Sequence, residues 1–241
     1  MNRASSDPPV VRFEKVAVRP ALLGADLLIG NGECGVIATD AATAVIFADL
    51  AQGIVAQDEG SVLVCGEDWR ALSARSTYAL RARIGRMQVG MNWIQNLDVD
   101  ENVLLPQLDH TSRPEGEIRE EAEALALQLG LGALPSSRPS DTSDLELCAS
   151  ACVRAFLGAP ELVIVGSTGL PIVSEIRVGL GRLVHSACLR GAAVLWLGET
   201  TSASRDLPPG PRFELSRGLL VPAAGYRSAR ESEDTSGWDN A

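Results

Sequence analysis

Short apolar runs alternate with amphipathic segments along most of the chain. Runs typical of strands lie at 10–18, 27–29, 34–37, 61–65, 162–165, 192–197, 212–215 and 219–221. Apolar residues at helical spacing predict helices over 41–52, 115–131 and 172–189, and the S-x-x-E box of Ser143 and Glu146 predicts another that ends near Leu157. Because strands alternate with helices, we expect an α/β domain with a mostly parallel sheet.

Two features modify this simple alternation. The stretch 84–108 is apolar, dotted with Asn and Gln and only weakly periodic, which is typical of a segment at an interface. The helical block that follows it predicts an inserted helical subdomain at about 89–160. We therefore expect a flexible N-terminus at 1–9, one domain at 10–225 and a polar, disordered tail at 226–241.

Charge and composition limit the classes of partner that we expect for this chain. A net charge of −10 over 241 residues argues against a nucleic-acid partner and against docking on anionic lipid. The apolar runs fall far short of the roughly 20 residues that a membrane-spanning helix needs, and the first residues lack the apolar region of a secretory signal. We expect a cytoplasmic protein without direct membrane insertion.

The five cysteines are an odd number and include no C-x-x-C pair. This pattern favours reduced, buried thiols over disulfides or a zinc site. We therefore expect no bound metal.

The stretch 32–53 is predicted to form a strand, a tight loop and the start of a helix. Phosphate loops of the Walker type read G-x-x-x-x-G-K-[ST]. Here Ala38 and Thr43 stand for the glycines, Ala44 for the lysine and Val45 for the hydroxyl that binds Mg²⁺, and the only lysine of the chain is Lys15. Within this loop, Thr39 and Asp40 are candidates to cap the helix.

Several short phrases support a family resemblance. They are Asp26-Leu27 with Gly32-Glu33, DEGS at 58–61 with CGED at 65–68, NLDV at 96–99 with ENV at 101–103 and Leu105-Pro106, and LGL at 129–131 followed by Pro139-Ser140, Arg154-Ala155 and APEL at 159–162. In their order and spacing they resemble the nucleotide-binding domain of ABC transporters. The resemblance implies a P-loop NTPase-like ABC ATPase domain with a mostly parallel sheet, an N-terminal antiparallel β part and an inserted helical subdomain.

The positions that carry the chemistry of this family differ here. The signature motif falls on 142–146 and keeps only Ser143. The Walker B Asp and the catalytic Glu fall on Gly166 and Ser167, the switch His falls on Glu199, and the Q-loop Gln falls on Val89 or, one residue earlier, on Gln88. We therefore predict a degenerate, non-catalytic pseudo-ATPase with a vestigial phosphate loop and no ATP or Mg²⁺ cofactor.

The resemblance also implies partners. We expect a subunit that docks on ABC permease subunits at the inner face of the cytoplasmic membrane and pairs with an active ATPase subunit or with itself. The ENVxxP phrase is most similar to the group handling lipids in Mla/Mce-type systems or to the lipoprotein-release type. Candidate docking residues are Met87, Met91, Trp93, Ile94 and Leu97.

Alternatives remain open at this point. The five docking candidates also suit the core of the domain itself. The chain also suits a cytosolic scaffold or regulatory protein that binds a partner through a pseudo-ATPase surface. A repurposed enzyme that uses Asp40, Ser167 and Glu199 is a third reading.

Overall fold

The computed structural model describes residues 8–88, 93–167, 172–198 and 206–223, with the backbone alone for 167 and 172–175. The strands in these ranges are β1 (Val11–Val18), β2 (Leu22–Ile29), β3 (Cys34–Ala38), β4 (Glu59–Val64), β5 (Glu67–Asp68), β6 (Ile84–Met87), β7 (Leu162–Ser167), β8 (Ala193–Gly198), β9 (Arg212–Ser216) and β10 (Leu219–Pro222). The helices are α1 (Ala41–Ala51), α2 (Ala74–Arg81), α3 (Val99–His110), α4 (Glu115–Gln128), α5 (Asp144–Phe156) and α6 (Ile172–Leu189). No described helix is long and apolar enough to cross a membrane.

The N-terminal strands form an antiparallel sheet, as the resemblance predicts. Its order is β2-β1-β4-β5. Phe13 in the middle of β1 lies opposite Leu27 of β2 and Val62 of β4. All three side chains are buried, so this face of the sheet is covered by other parts of the domain.

A second sheet is mostly parallel and has the order β10-β9-β3-β8-β7-β6. From β9 to β6 each neighbouring pair is parallel, and β10 returns antiparallel to β9 as the predicted terminal hairpin. Every residue of β8 is buried. This is the pattern expected for a parallel strand with layers on both faces.

Helix α1 lies between the two sheets, whereas α3 to α6 cover the opposite face of the parallel sheet. Phe47 of α1 is fully buried, and its ring stacks on Phe13 with centroids 6.2 Å apart. The domain therefore has two apolar cores, one on each face of the parallel sheet. In the sequence, helices α3 to α5 come after β6 and before β7, in the region predicted as the helical subdomain.

Besides the two-residue strand β5, the structure contains three elements that the hydrophobic pattern does not predict. Helix α2 buries only Leu80, so it carries no apolar stripe. Strand β6 has four residues, including a glycine and an arginine, at the edge of the sheet. Helix α3 contains Pro106 in its interior and has little amphipathic character, which explains why 84–108 reads as irregular.

Two glycines permit close backbone contacts. A Cβ atom on Gly85 of β6 would collide with the carbonyl of Ala155 in α5. A Cβ atom on Gly179 of α6 would collide with the carbonyl of Gln128 at the end of α4 and would lie 3.0 Å from the Cα of Leu129. The backbone of β6 therefore packs against that of α5, and the backbone of α6 against that of the end of α4.

Gly179→Ala should destabilise the protein by about 1–3 kcal/mol, because the added methyl group meets backbone atoms that cannot rotate away. Gly181→Ala is the matched control on the same helix, since no heavy atom lies within 4 Å of its Cβ position. That control should stabilise the helix by about 0.5–1 kcal/mol. Urea unfolding midpoints measure both changes, and equal effects of the two substitutions would refute the contact.

Candidate functional site

The central strands of the parallel sheet end together. Gly198, the last residue of β8, lies opposite both Ala38 of β3 and Ser167 of β7. In open α/β sheets ligands bind beyond the carboxyl ends of the strands. This edge is therefore the candidate site.

The connection from β3 to α1 consists of Thr39 and Asp40. The backbone N–H of Thr39 donates to the carbonyl of Gly198 at 2.7 Å, which holds the connection against β8. Asp40 is the N-cap of α1: its Oδ1 accepts from the N–H of Thr43 at 3.0 Å, and its Oδ2 accepts from the Thr43 hydroxyl at 2.8 Å. The prediction that this pair contains the helix cap is confirmed for Asp40.

The residues predicted as a vestigial phosphate loop span the end of β3 and the first turns of α1. Ala38 is the last residue of β3, and Thr43, Ala44 and Val45 already lie in α1. The Asp40 cap starts the helix at Ala41, which confirms the helix predicted over 41–52, whereas the vestigial phosphate loop stays a prediction. Thr43 and Ala44 are buried, whereas Val45 is 40% exposed.

Charge at this edge comes from the cap and from the helix. Hydrogen bonds from the N–H and then the hydroxyl of Thr43 lower the pKa of Asp40. The N-terminal N–H groups and the positive end of the α1 dipole point to the same edge. Thr39 is buried, and its Oγ1 lacks a hydrogen-bond partner within the described ranges.

Ser143 forms the predicted capping box at the start of α5. Its Oγ accepts from the N–H of Glu146 at 3.3 Å and donates to Glu146 Oε2 at 2.6 Å, and Glu146 Oε2 also accepts from the Ser143 N–H at 3.1 Å. These bonds lower the pKa of Glu146, the hydroxyl bond having the larger effect. The sequence signal thus identified a helix start.

The other residues singled out in the sequence lie partly at the candidate edge and partly away from it. Lys15 lies in β1 of the antiparallel sheet, where its N–H donates to Asp26 at 2.9 Å, so this lysine is not part of the β3–α1 connection. Gly166 and Ser167 end β7 at the candidate edge. Glu199, Met91 and Val89 lie outside the described residues. Gln88, the alternative to Val89, directly follows β6.

The docking candidates fall into two groups. Met87 is 1% exposed and Trp93 is 8% exposed, so naming their side chains as surface groups was wrong: both pack in the core of this chain. Ile94 is 44% exposed, and Leu97 is intermediate. Hydrophobicity alone could not separate these cases, because core and interface favour the same residue types.

Sequence reasoning missed a cleft formed by five separated segments. Its volume is about 250 Å³, and its lining includes Gln52, Arg81, Arg86, Gln107, His110 and Arg154. Exposed apolar side chains occur in or beside the same segments: Ile54, Val55, Tyr78, Leu105 and Leu108. No local sequence motif marks this cleft, because its residues meet only in the folded chain.

Within the described ranges, no three His, Cys, Asp or Glu residues lie close enough together to hold a metal ion. Cys148 and Cys152 are buried thiols, and Cys152 Sγ lies 3.4 Å from the sulfur of Met87.

No protein-family model matches the sequence. The chain is 31% identical over 157 residues to the methionine import ATP-binding protein MetN of Bordetella avium, covering 65% of this chain and 41% of MetN. It is 31% identical over 145 residues to the lipoprotein-releasing system ATP-binding protein LolD of Pseudomonas syringae pv. tomato, covering 59% of this chain and 63% of LolD. The chain thus spans less than two thirds of the length of either relative.

Solved structures show the same architecture. The dimeric bacterial ABC transporter cassette MJ0796 matches with a TM-score of 0.77 and 17% identity over 90% of this chain and 100% of that chain. A post-hydrolysis form of the same cassette, bound to ADP and Pi, matches with a TM-score of 0.74 and 17% identity over the same shares.

These similarities contradict two predictions made from the sequence, that the chain is not an enzyme and that it holds no ATP or Mg²⁺ cofactor. The relatives are named ATP-binding proteins, and one matched cassette was solved with ADP and Pi. The predictions relied on the side chains at single motif positions. A helix N-terminus offers backbone N–H groups to a phosphate independently of the motif side chains, and α1 places such a terminus at the candidate edge.

The fold prediction is confirmed. The antiparallel sheet, the mostly parallel sheet and the helices between β6 and β7 are arranged as in these cassettes. The chain has the α/β ABC ATPase fold and is similar in sequence to ATP-binding subunits of ABC transport systems.

Proposed function

We propose that this chain is the ATP-binding subunit of an ABC transport complex. The observation that carries the proposal is the 157-residue match to an ATP-binding import subunit. The cassette fold supports it. Such a subunit works at the cytoplasmic face of the membrane and is held there by permease subunits.

The nucleotide would lie beyond the carboxyl ends of β3, β7 and β8. Two features of the described residues suit its phosphates: the N-terminus of α1 and the buried, unpartnered Oγ1 of Thr39. The carboxylate of Asp40 at the same place repels phosphate, although carboxylate oxygen is also a ligand that Mg²⁺ accepts. The fit is therefore best for a nucleotide that arrives with its metal ion, and Asp40 sets its affinity.

Dimer pairing is part of the proposal. The cassette MJ0796 was solved as a dimer. By analogy this chain pairs with a second ATPase subunit or with another copy of itself, and the capped start of α5 at Ser143 faces the partner's nucleotide.

We further propose a lipid-linked cargo. The relatives include a methionine importer and a lipoprotein-releasing protein, and the match covers 63% of the latter but only 41% of the former. The ENVxxP phrase of α3 and the similarity to a lipoprotein-releasing system protein both support lipid or lipoprotein transport.

The proposed docking surface for the permease consists of the exposed apolar side chains of α3 and of the segment after α1, beside the cleft. Leu105 and Leu108 are 39% and 40% exposed on α3, and Ile54 is 56% exposed just beyond α1. Exposed apolar side chains near a concave surface are typical of protein interfaces. Ile94 remains a docking candidate from the sequence.

The proposal is tested by purifying the tagged full-length chain from detergent-solubilised membranes of its own cells. A permease should co-purify, and the complex should bind and hydrolyse ATP above a mock preparation. A chain that binds no ATP either alone or in that complex would refute the assignment.

Asp40→Asn should bind ATP in the absence of Mg²⁺ about fivefold more tightly than the unchanged chain. Asparagine still caps the helix, but it removes a like charge worth about 1 kcal/mol at a distance of roughly 4 Å in water. A titration with a fluorescent ATP analogue measures the change. Unchanged or weaker binding would place the phosphates away from the N-terminus of α1.

Leu105→Glu should abolish permease co-purification, because it introduces a charge into the apolar docking surface. Leu127→Glu is the matched control, since Leu127 is a leucine on a different helix, α4, and is 63% exposed. Quantitative mass spectrometry of the purified complexes compares the two. Equal recovery of the permease with both variants would exclude this part of α3 from the interface.

A further inference from the structure

The cleft beside α3 collects positive charge in an otherwise acidic protein. Three arginines line it: Arg81 at the end of α2, Arg86 in β6 and Arg154 in α5. The whole chain has a net charge of −10. A concave site that gathers three guanidinium groups is therefore a local exception that chain composition does not explain.

Within the described ranges, a carboxylate of α1 neutralises part of this charge. Asp49 of α1 accepts from Arg86 Nη1 at 2.6 Å, and the Gln52 side chain accepts from the same atom at 2.9 Å. Arg81 instead donates to the backbone carbonyls of Gln52 and Gly53 at 3.1 and 2.7 Å, and within the described ranges it forms no ion pair. The charge of Arg81 is thus held in place without a counter-ion from this part of the chain.

Arg154 lies deeper in the cleft. Its guanidinium stacks over the buried ring of Trp93, with its central carbon 4.6 Å from the ring centroid. Burial lowers the pKa of Arg154, because the charged form loses hydration.

Polar groups complete the lining. His110 is half-buried against Tyr78, with ring centroids 4.2 Å apart, and its Nδ1 is buried without a hydrogen-bond partner among the described residues. Gln107 donates its side-chain N–H to the carbonyl of Leu157 at 3.2 Å and so fixes the wall of the cleft.

We propose that this cleft binds a small oxyanion, a molecule that carries a free phosphate or carboxylate group. Guanidinium groups present paired N–H donors that match these groups. The volume of about 250 Å³ is below the range of pockets for drug-sized ligands and suits an inorganic phosphate or a short dicarboxylate. The site is separate from the α1 N-terminus, because the part of its lining nearest to α1 is Gln52, the residue that follows the last turn of that helix.

The cleft contains its own spectroscopic reporters. Arg154 stacks on Trp93, and Arg81 lies over Trp69 with its central carbon 6.0 Å from the ring centroid. An anion that draws either guanidinium toward itself changes the environment of an indole ring. Tryptophan fluorescence therefore detects binding directly.

The experiment titrates the purified full-length chain with inorganic phosphate and, separately, with glutarate, replacing sodium chloride at constant ionic strength. The expected result is a saturable change in tryptophan emission with at least one of the two anions. Arg81→Gln and Arg154→Gln should each weaken binding about tenfold, since each removes a charge-assisted hydrogen bond. Arg12→Gln, an exposed arginine of β1 paired with Glu14, is the matched control and should bind as tightly as the unchanged chain.

Circular dichroism and thermal melting check that each variant folds, and Arg81→Gln alone decides the matter where Arg154→Gln does not fold. A non-saturable response to both anions would overturn the proposal. So would a saturable response that neither cleft substitution weakens, because the anion would then bind elsewhere, for example at the start of α1.

Discussion

The position of α1 between the two sheets is the constraint on which the rest of this structure depends. The helix must leave β3 at once, and the Asp40 cap together with the Thr39–Gly198 hydrogen bond fixes where it starts. Its buried Phe47 then joins the antiparallel sheet to the parallel sheet through Phe13. With α1 fixed in this way, its first turn faces the carboxyl ends of the strands and its last turn faces the cleft beside α3.

Short-range sequence patterns predicted the helices and strands whose bounds depend on residues close together in the chain. The bounds of α6 and the capping box of α5 follow from periodicity and from two side chains three residues apart. Strands β3 and β8 were recognisable because burial on both faces requires uninterrupted apolar residues. Elements stabilised by distant contacts were missed. Strand β6 exists because β7 pairs with it, and its Gly85 is explained only by the nearby carbonyl of Ala155.

In the candidate site too, features that depend on neighbouring residues were predicted, whereas features that depend on distant residues were not. Asp40 was identified as a cap from sequence, since a cap and its helix are neighbours in the chain. Motif positions led to the wrong conclusion about nucleotide use, because side-chain identities do not report what backbone N–H groups can bind. The arginine-lined cleft could not be predicted, because segments from α1, α2, β6, α3 and α5 must fold before Arg81 and Arg154 face one space.

Asn102 gives this architecture a mechanical property. Its side chain accepts from the N–H of Ile94 and donates to the carbonyls of Ile94, Leu97 and Asp98, so it ties the segment before α3 to the helix. Trp93 adjoins that tied segment and stacks on Arg154 of α5. Because these bonds hold that segment on α3, a displacement of α3 would move the Trp93 ring relative to the guanidinium of Arg154 on α5.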